Sequence, residues 1–158
     1  MEKTWEQKVH QDNDLKYRIV TALSSCCTMA LATVRPDGFP QATTVNYIND
    51  GLTLYFAADA GSQKTGNIKL NNKVSAAIVI QSEDFGKLAG VSLSGYGERI
   101  MEAEGAIEVA LRLFQKIPQS RKYVPDDTQQ IAVFSITPVA ISLIDYSKGF
   151  GTSALLSL

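Results

Sequence analysis

Apolar positions along the chain change their spacing several times, and each change marks an element. Leu15, Ile19, Ala22 and Leu23 recur at helical spacing, which predicts a helix over 12–25 with Asp12 or Asn13 able to cap its start. CTMALATV at 27–34 is short, apolar and β-compatible. RPDGFP at 35–40 holds two prolines and an Asp-Gly and reads as a turn. QATTVNYI at 41–48 and LTLYFA at 52–57 predict two further strands, separated by Asn49-Asp50-Gly51. Three strands joined by short turns make an antiparallel meander.

Residues 62–70 predict one or two helical turns, weakened by Gly66, and VSAAIVI at 74–80 predicts a strand. A loose stretch over 81–90 leads into VSLSGYGERIM at 91–101, where Gly95 and Gly97 interrupt a strand-like run and indicate a bulge or a bend at a barrel corner. Helical spacing returns at 102–116, with Ile107, Ala110, Leu111 and Phe114 on one stripe. After a polar connector, IAVFSITPVAISLIDY at 131–146 predicts a last strand or strand pair. Pro138 interrupts it, because proline has no N–H to give a central ladder. Strands and helices do not alternate as βαβ units, which disfavours a parallel Rossmann sheet. The meander, the glycine bends and the late returning strand predict a mainly β chain: a closed or partly closed antiparallel barrel with flanking helices.

Composition removes several functions. A chain of 158 residues suits one domain over 1–158, which buries roughly 70% of its extended surface without a metal or disulfide staple. Fifteen basic against sixteen acidic residues leave a charge of -1, so no global field draws the chain to nucleic acid or an anionic membrane. The polar, mixed-charge beginning is unlike a secretory leader, and no apolar run is long enough to cross a bilayer, so a cytoplasmic location is expected. Cys26 and Cys27 are adjacent and offer no spaced metal pair, and His10 is the only histidine. A histidine-rich metal site or a Ser-His-Asp triad is thereby disfavoured, and chemistry borrowed from a cofactor is the natural alternative.

Three stretches are candidates for a site. In YFAADAGSQKTGNI, residues 55–68, Ser62 stands at a helix N-cap and Lys64 in the first turn. A cation there faces unpaired N–H groups and the positive end of the helix dipole, a conflict that a bound anion removes. Free amides, the Ser62 hydroxyl, the Gln63 amide and the Lys64 ammonium would converge on one phosphate. The alternative is an ordinary cap with a solvated lysine. In ATTVNY, Thr43, Val45 and Tyr47 share one strand face and Ala42, Thr44 and Asn46 the other. Polar groups on both faces suit a strand between barrel core and ligand, or simply threonine at a sheet edge. In the tail IDYSKGFGTSALL, Lys148, Gly149 and Phe150 follow the last strand. The tail either docks on its own domain or closes over a ligand or second subunit.

Taken together, residues 31–80, VSLSGYGERI and the late strand into DYSKGFG resemble the pyridoxamine 5'-phosphate oxidase-like, FMN-binding split-barrel family, including its small general-stress-protein members. The resemblance implies a split β-barrel that binds FMN. It places the cofactor phosphate at Ser62, Gln63 and Lys64, the ribityl chain and ring along Thr43, Thr44, Val45 and Asn46, and the phosphate side along Phe56, Ala57 and Ala58. It also implies a homodimer with FMN at the subunit interface, the partner contributing residues from 94–97 and from Lys148, Gly149 and Phe150. The oxidases proper carry arginine where this chain has Thr43, and Arg-Lys where it has Gln63-Lys64. They also end in a basic stretch that GFGTSALLSL does not match. The resemblance therefore carries FMN binding but not oxidation of a pyridoxine phosphate, and the expected activity is flavin-dependent oxidoreduction of a small organic substrate. Alternatives are a non-catalytic FMN-binding or stress-response protein, a deazaflavin-dependent reductase, and a plain interaction barrel.

Overall fold

The structure, a computed structural model, describes residues 5–84 and 89–158. Part of the loose stretch expected over 81–90 lies outside the described residues. Three α-helices and seven strands follow one another as α1 (Trp5–Ser25), β1 (Thr28–Val34), β2 (Pro40–Asp50), β3 (Thr53–Asp59), α2 (Gln63–Leu70), β4 (Lys73–Ile80), β5 (Ala89–Arg99), α3 (Ala103–Lys116), β6 (Ile131–Asp145) and β7 (Ser153–Ser157). All pairings are antiparallel, in the order β3-β2-β1-β4-β5-β6-β7, and β3 also pairs with β6. That last pairing closes six strands into a barrel flanked by helices, the split-barrel arrangement.

One strand makes the closure. One edge of β6 runs against β5, while its other edge serves two partners: Ile131–Ile136 pairs with β3, and Ala140–Ile144 pairs with β7. The expectation that Pro138 would break this strand is corrected, since β6 is continuous across it. Pro138 lies between the β3-paired and β7-paired stretches, with no residue of either strand opposite it. On the β5 side it sits at a register shift, with Ser94 opposite Ala140 and Gly95 opposite Pro138, so that Val139 is passed over. The missing N–H falls where no ladder bond is needed. The bulge expected near Gly95 is at this shift.

Strand alternation sorts side chains between interior and exterior. Met29 and Leu31, Val45 and Tyr47, and Val74, Ala76 and Ile78 point inward from β1, β2 and β4. At the centre the rings of Phe56 and Phe134 stack with centroids 5.0 Å apart. Such a pair adds about 1 kcal/mol to the gain from burying its area. Helix α1 begins before residue 12, but its apolar face is the expected one: Leu15, Ile19, Ala22 and Leu23 join the barrel core.

Helix α3 differs from the periodicity reading. Its barrel-facing side is Val109 and Leu113, with Ala106 beside them, packed on Ile48 and Val133 from outside the barrel. Ile107 and Leu111 of the expected stripe are exposed. The helix is apolar on two sides, and only docking decides which side is covered. The polar connector after it forms 3-10 turns at Pro118–Tyr123 and Thr128–Gln130. The tail docks on its own barrel as β7, with Leu156 buried. Among the described residues no helix is long and apolar enough to cross a membrane.

Candidate functional site

A groove of about 890 Å³ opens on the side of the barrel, within the size range of small-molecule sites. Thr44, Val45 and Asn46 of β2, Ala57, Ala58 and Asp59 of β3, and Lys64 in the first turn of α2 form one wall. The opposite wall comes from α3 and the connector, including Leu113, Phe114, Ile117, Arg121 and Tyr123. The Arg121 guanidinium lies 5.9 Å from the centre of the Phe114 ring. Apolar side chains on both walls alternate with polar ones, among them Asp59 and Asp126, and Lys64 stands at the α2 end. Among the described residues no cluster of His, Cys, Asp and Glu could hold a metal ion.

The α2 end has a defined hydrogen-bond order. Ser62 occupies the N-cap position in extended backbone, but its side chain makes no capping bond. Thr65 Oγ1 donates to the Asp59 carbonyl at 2.8 Å and pairs with Ser62 Oγ at 3.1 Å. With the Thr65 proton committed to Asp59, the Ser62 hydroxyl is the donor of that pair. The first helical bond runs from the Gly66 N–H to the Ser62 carbonyl. The N–H groups of Gln63, Lys64 and Thr65 therefore remain available, as they do at any helix start.

Of the residues singled out in the sequence, Thr44, Val45, Asn46, Ala57, Ala58 and Lys64 line one groove although β2, β3 and α2 separate them in the chain. Ser62 and Gln63 adjoin Lys64 at its end. Thr43 points inward, and its hydroxyl is buried with no hydrogen-bond partner among the described residues. Phe56 belongs to the core, fully buried against Phe134. Lys148, Gly149 and Phe150 lie in the connection between β6 and β7, outside the lining of this chain's groove. There Phe150 is 94% exposed and meets Tyr146 edge-on.

Sequence reading missed the α3 wall and a buried polar group beneath α2. The connector IPQSRKYVPDDTQQ reads as polar, yet it folds back so that Tyr123, Val124 and Pro125 face the strands. Two prolines and an aromatic residue inside a polar run were the available signal. Asn67, 2% exposed, donates to Thr33 Oγ1 at 3.0 Å and to Gln41 Oε1 at 3.1 Å. Its position beside Ile68 on the buried side of α2 was the only hint.

Tyr47 and Lys116 have shifted titrations, each for reasons of burial. Burial above all, with the nearby Cys26 and Cys27, pushes the Tyr47 hydroxyl far above the usual phenol range. It stays protonated and donates to the Leu23 carbonyl at 2.7 Å. The Lys116 amine, 5.0 Å from the Tyr47 ring centre, is held below the usual lysine value by desolvation. Asn46 is also partly committed: Nδ2 donates to the Cys27 carbonyl at 3.3 Å and to Thr28 Oγ1 at 3.4 Å, which leaves Oδ1 as its accepting end.

A closed antiparallel barrel with a helix-capped groove at its flank defines a split-barrel protein. The sequence profile of pyridoxamine 5'-phosphate oxidase matches residues 15–145, and the chain belongs to that family. No curated protein matches it in sequence. Among solved structures, a conserved hypothetical protein from Mycobacterium tuberculosis is 25% identical, with a TM-score of 0.73 over 84% of this chain and 85% of that one. General Stress Protein 26 from Bacillus anthracis is 22% identical, with a TM-score of 0.67 over 91% and 98%. The heme storage protein HutZ from Vibrio cholerae is 13% identical, with a TM-score of 0.66 over 90% and 94%. The fold thus serves stress-response and heme-storage proteins as well as the oxidase family.

Proposed function

We propose that the chain is an FMN-binding flavoprotein that works as a homodimer and carries out flavin-dependent oxidoreduction of a small organic substrate. The supporting observation is the groove itself, in which apolar side chains from two walls lie beside Lys64 in the first turn of α2. Lys64, the first-turn amides of α2 and the Gln63 side chain would hold the phosphate. Ala57, Ala58 and the opposing Leu113, Phe114 and Ile117 suit a flat aromatic ring and exclude water from it. Asn46 Oδ1 suits an N–H on the ring edge. These residues fit FMN in size and in chemistry.

When bound, the flavin supplies the electron transfer, and the protein binds, orients and shields it. Lys64 would anchor the charged end, and the two walls would enclose the ring between them. Asp59 lies at the same end, with one of its two carboxylate oxygens, Oδ1, accepting from the Gly61 N–H at 2.7 Å.

The dimer reading rests on the outer face of the sheet. Thr44, Ala30, Ala77 and Ser92 align across four strands, and Ala42, Ala32, Ser75 and Ser94 align beside them. These residues are small and mostly exposed, so a second sheet can approach closely. Thr44 belongs both to this face and to the groove, which would place the cofactor beside the subunit interface.

FMN is favoured over haem by the lining. Among the described residues that line it, no His, Cys or Met is present to ligate haem iron, and Tyr123 alone belongs to a type that does. Incubation with excess FMN followed by desalting should leave flavin absorbance on the protein, and its loss would overturn the cofactor assignment. Sedimentation at micromolar concentration should show twice the 17.2 kDa chain mass. A monomer alone would remove the interfacial site. Turnover with a reduced nicotinamide separates an enzyme from a flavin carrier, and a competition titration separates FMN from a deazaflavin.

A further inference from the structure

Beneath the N-terminus of α2 the side-chain amides form an ordered chain. Asn67 is buried and gives its Nδ2 to Gln41 Oε1 at 3.1 Å and to Thr33 Oγ1 at 3.0 Å. Gln41 gives its own Nε2 to Gln63 Oε1 at 2.7 Å. Each amide is thereby used in one sense only. The Gln41 oxygen accepts, its nitrogen donates, and the Gln63 oxygen is occupied, so the free end of the Gln63 amide is its nitrogen. An amide side chain at an exposed helix start ordinarily rotates, presenting oxygen or nitrogen with similar ease. Here the buried Asn67 and Thr33 bias that choice from inside the barrel.

We propose that Gln41, itself oriented by Asn67, is a positioning residue that holds Gln63 with its N–H groups toward a bound phosphate. The inference rests on the reading of the α2 end as the FMN phosphate site. It assigns to Gln41 a role that its strand position does not indicate: neither Gln41 nor Gln63 lines the groove, and Gln63 reaches its end as the neighbour of Lys64. The chemistry follows from neutrality. Where an arginine donates in every orientation, a glutamine donates only with its nitrogen presented, so this chain needs a second residue to set the amide. A phosphate ester gains from the arrangement, and a ligand ending in a neutral hydroxyl gains little.

The test is a double-mutant cycle on the full chain, Gln41→Met, Gln63→Met and both together, with dissociation constants for FMN and for riboflavin, which lacks the phosphate. The readout is the ratio of the two affinities, which a general loosening of the barrel leaves unchanged because both flavins share the ring. Gln63→Met should reduce the preference for FMN by about tenfold, and Gln41→Met by about threefold to tenfold. The double variant should match Gln63→Met alone, because Gln41 acts only through it. If Gln41→Met folds poorly, Gln41→Asn, polar but one methylene shorter, takes its place in the cycle. An unchanged ratio in the Gln41 variant, or a further loss in the double variant, overturns the positioning role while leaving the FMN reading intact. Equal affinity of the unaltered protein for both flavins, or binding of neither, overturns the phosphate reading and the positioning role with it.

Discussion

Gly95 stands opposite Pro138 at the one register shift between β5 and β6. A Cβ built on Gly95 would lie 2.8 Å from Pro138 Cα and closer still to the Thr137 carbonyl oxygen. Both obstacles are backbone, so neither can swing aside as a side chain would. Gly95→Ala should lower unfolding free energy by about 2 kcal/mol or more, read as a fall in denaturation midpoint with little change in slope. Wild-type stability in this variant would show that the bulge relaxes freely.

Thr43 offers the opposite case, a polar atom whose removal should help. Its buried hydroxyl has no hydrogen-bond partner among the described residues, and valine has nearly the same shape. Thr43→Val is expected to stabilise the fold by about 1 kcal/mol, visible as a higher melting temperature. FMN affinity should be unchanged, because the hydroxyl is enclosed on the inner side of β2. Weaker flavin binding would instead assign that hydroxyl to the cofactor.

Lys64 should matter to the ligand and not to the fold. A hydrogen bond from a charged donor is worth about 1.5–3 kcal/mol, so Lys64→Ala should weaken FMN binding by about tenfold to a hundredfold. Flavin fluorescence titration measures this directly, and the difference should shrink as salt is raised. The melting temperature should move little, because Lys64 makes no ion pair among the described residues.

Asp145 ties the tail to α1 and gives that contact a pH dependence. The Ser147 hydroxyl bond, chiefly, then the Ser147 N–H and the charges of Arg18 and Lys148, hold its carboxyl below the ordinary value of 3.8. Arg18 Nη2 lies 2.7 Å from Asp145 Oδ2. A depressed native value means that the ionised form stabilises the fold above the ordinary carboxylate range and stops doing so as the pH falls through the native value. Asp145→Asn should therefore be less stable than wild type at neutral pH. The gap should narrow below pH 3.8 and close at more acid pH in paired thermal melts. A constant gap across that range would assign the loss to packing.

The sequence by itself determined the class and most of the elements, though not β7 in the tail or the continuity of β6. Helical spacing in Leu15, Ile19, Ala22 and Leu23, alternation in ATTVNY and the turn chemistry of RPDGFP are local signals, and local physics reads them without knowledge of the fold. The S-x-K helix start was legible for the same reason, because unpaired amides and a first-turn cation are neighbours in the chain. Tertiary structure decided what depends on partners distant in sequence. Pro138 sits within a continuous strand because one edge of β6 changes partner from β3 to β7 at that point. Helix α3 has two apolar sides, and docking on Ile48 and Val133 covered one and left Ile107 and Leu111 outside. The groove has its opposite wall because α3 docks beside β2 and β3 and the polar connector returns Tyr123, Val124 and Pro125 to the same side. Gln41 reads as an ordinary strand residue until Asn67 and Gln63 are seen beside it. Periodicity reports which face of an element is apolar, but what meets that face depends on contacts across the chain that no local pattern encodes.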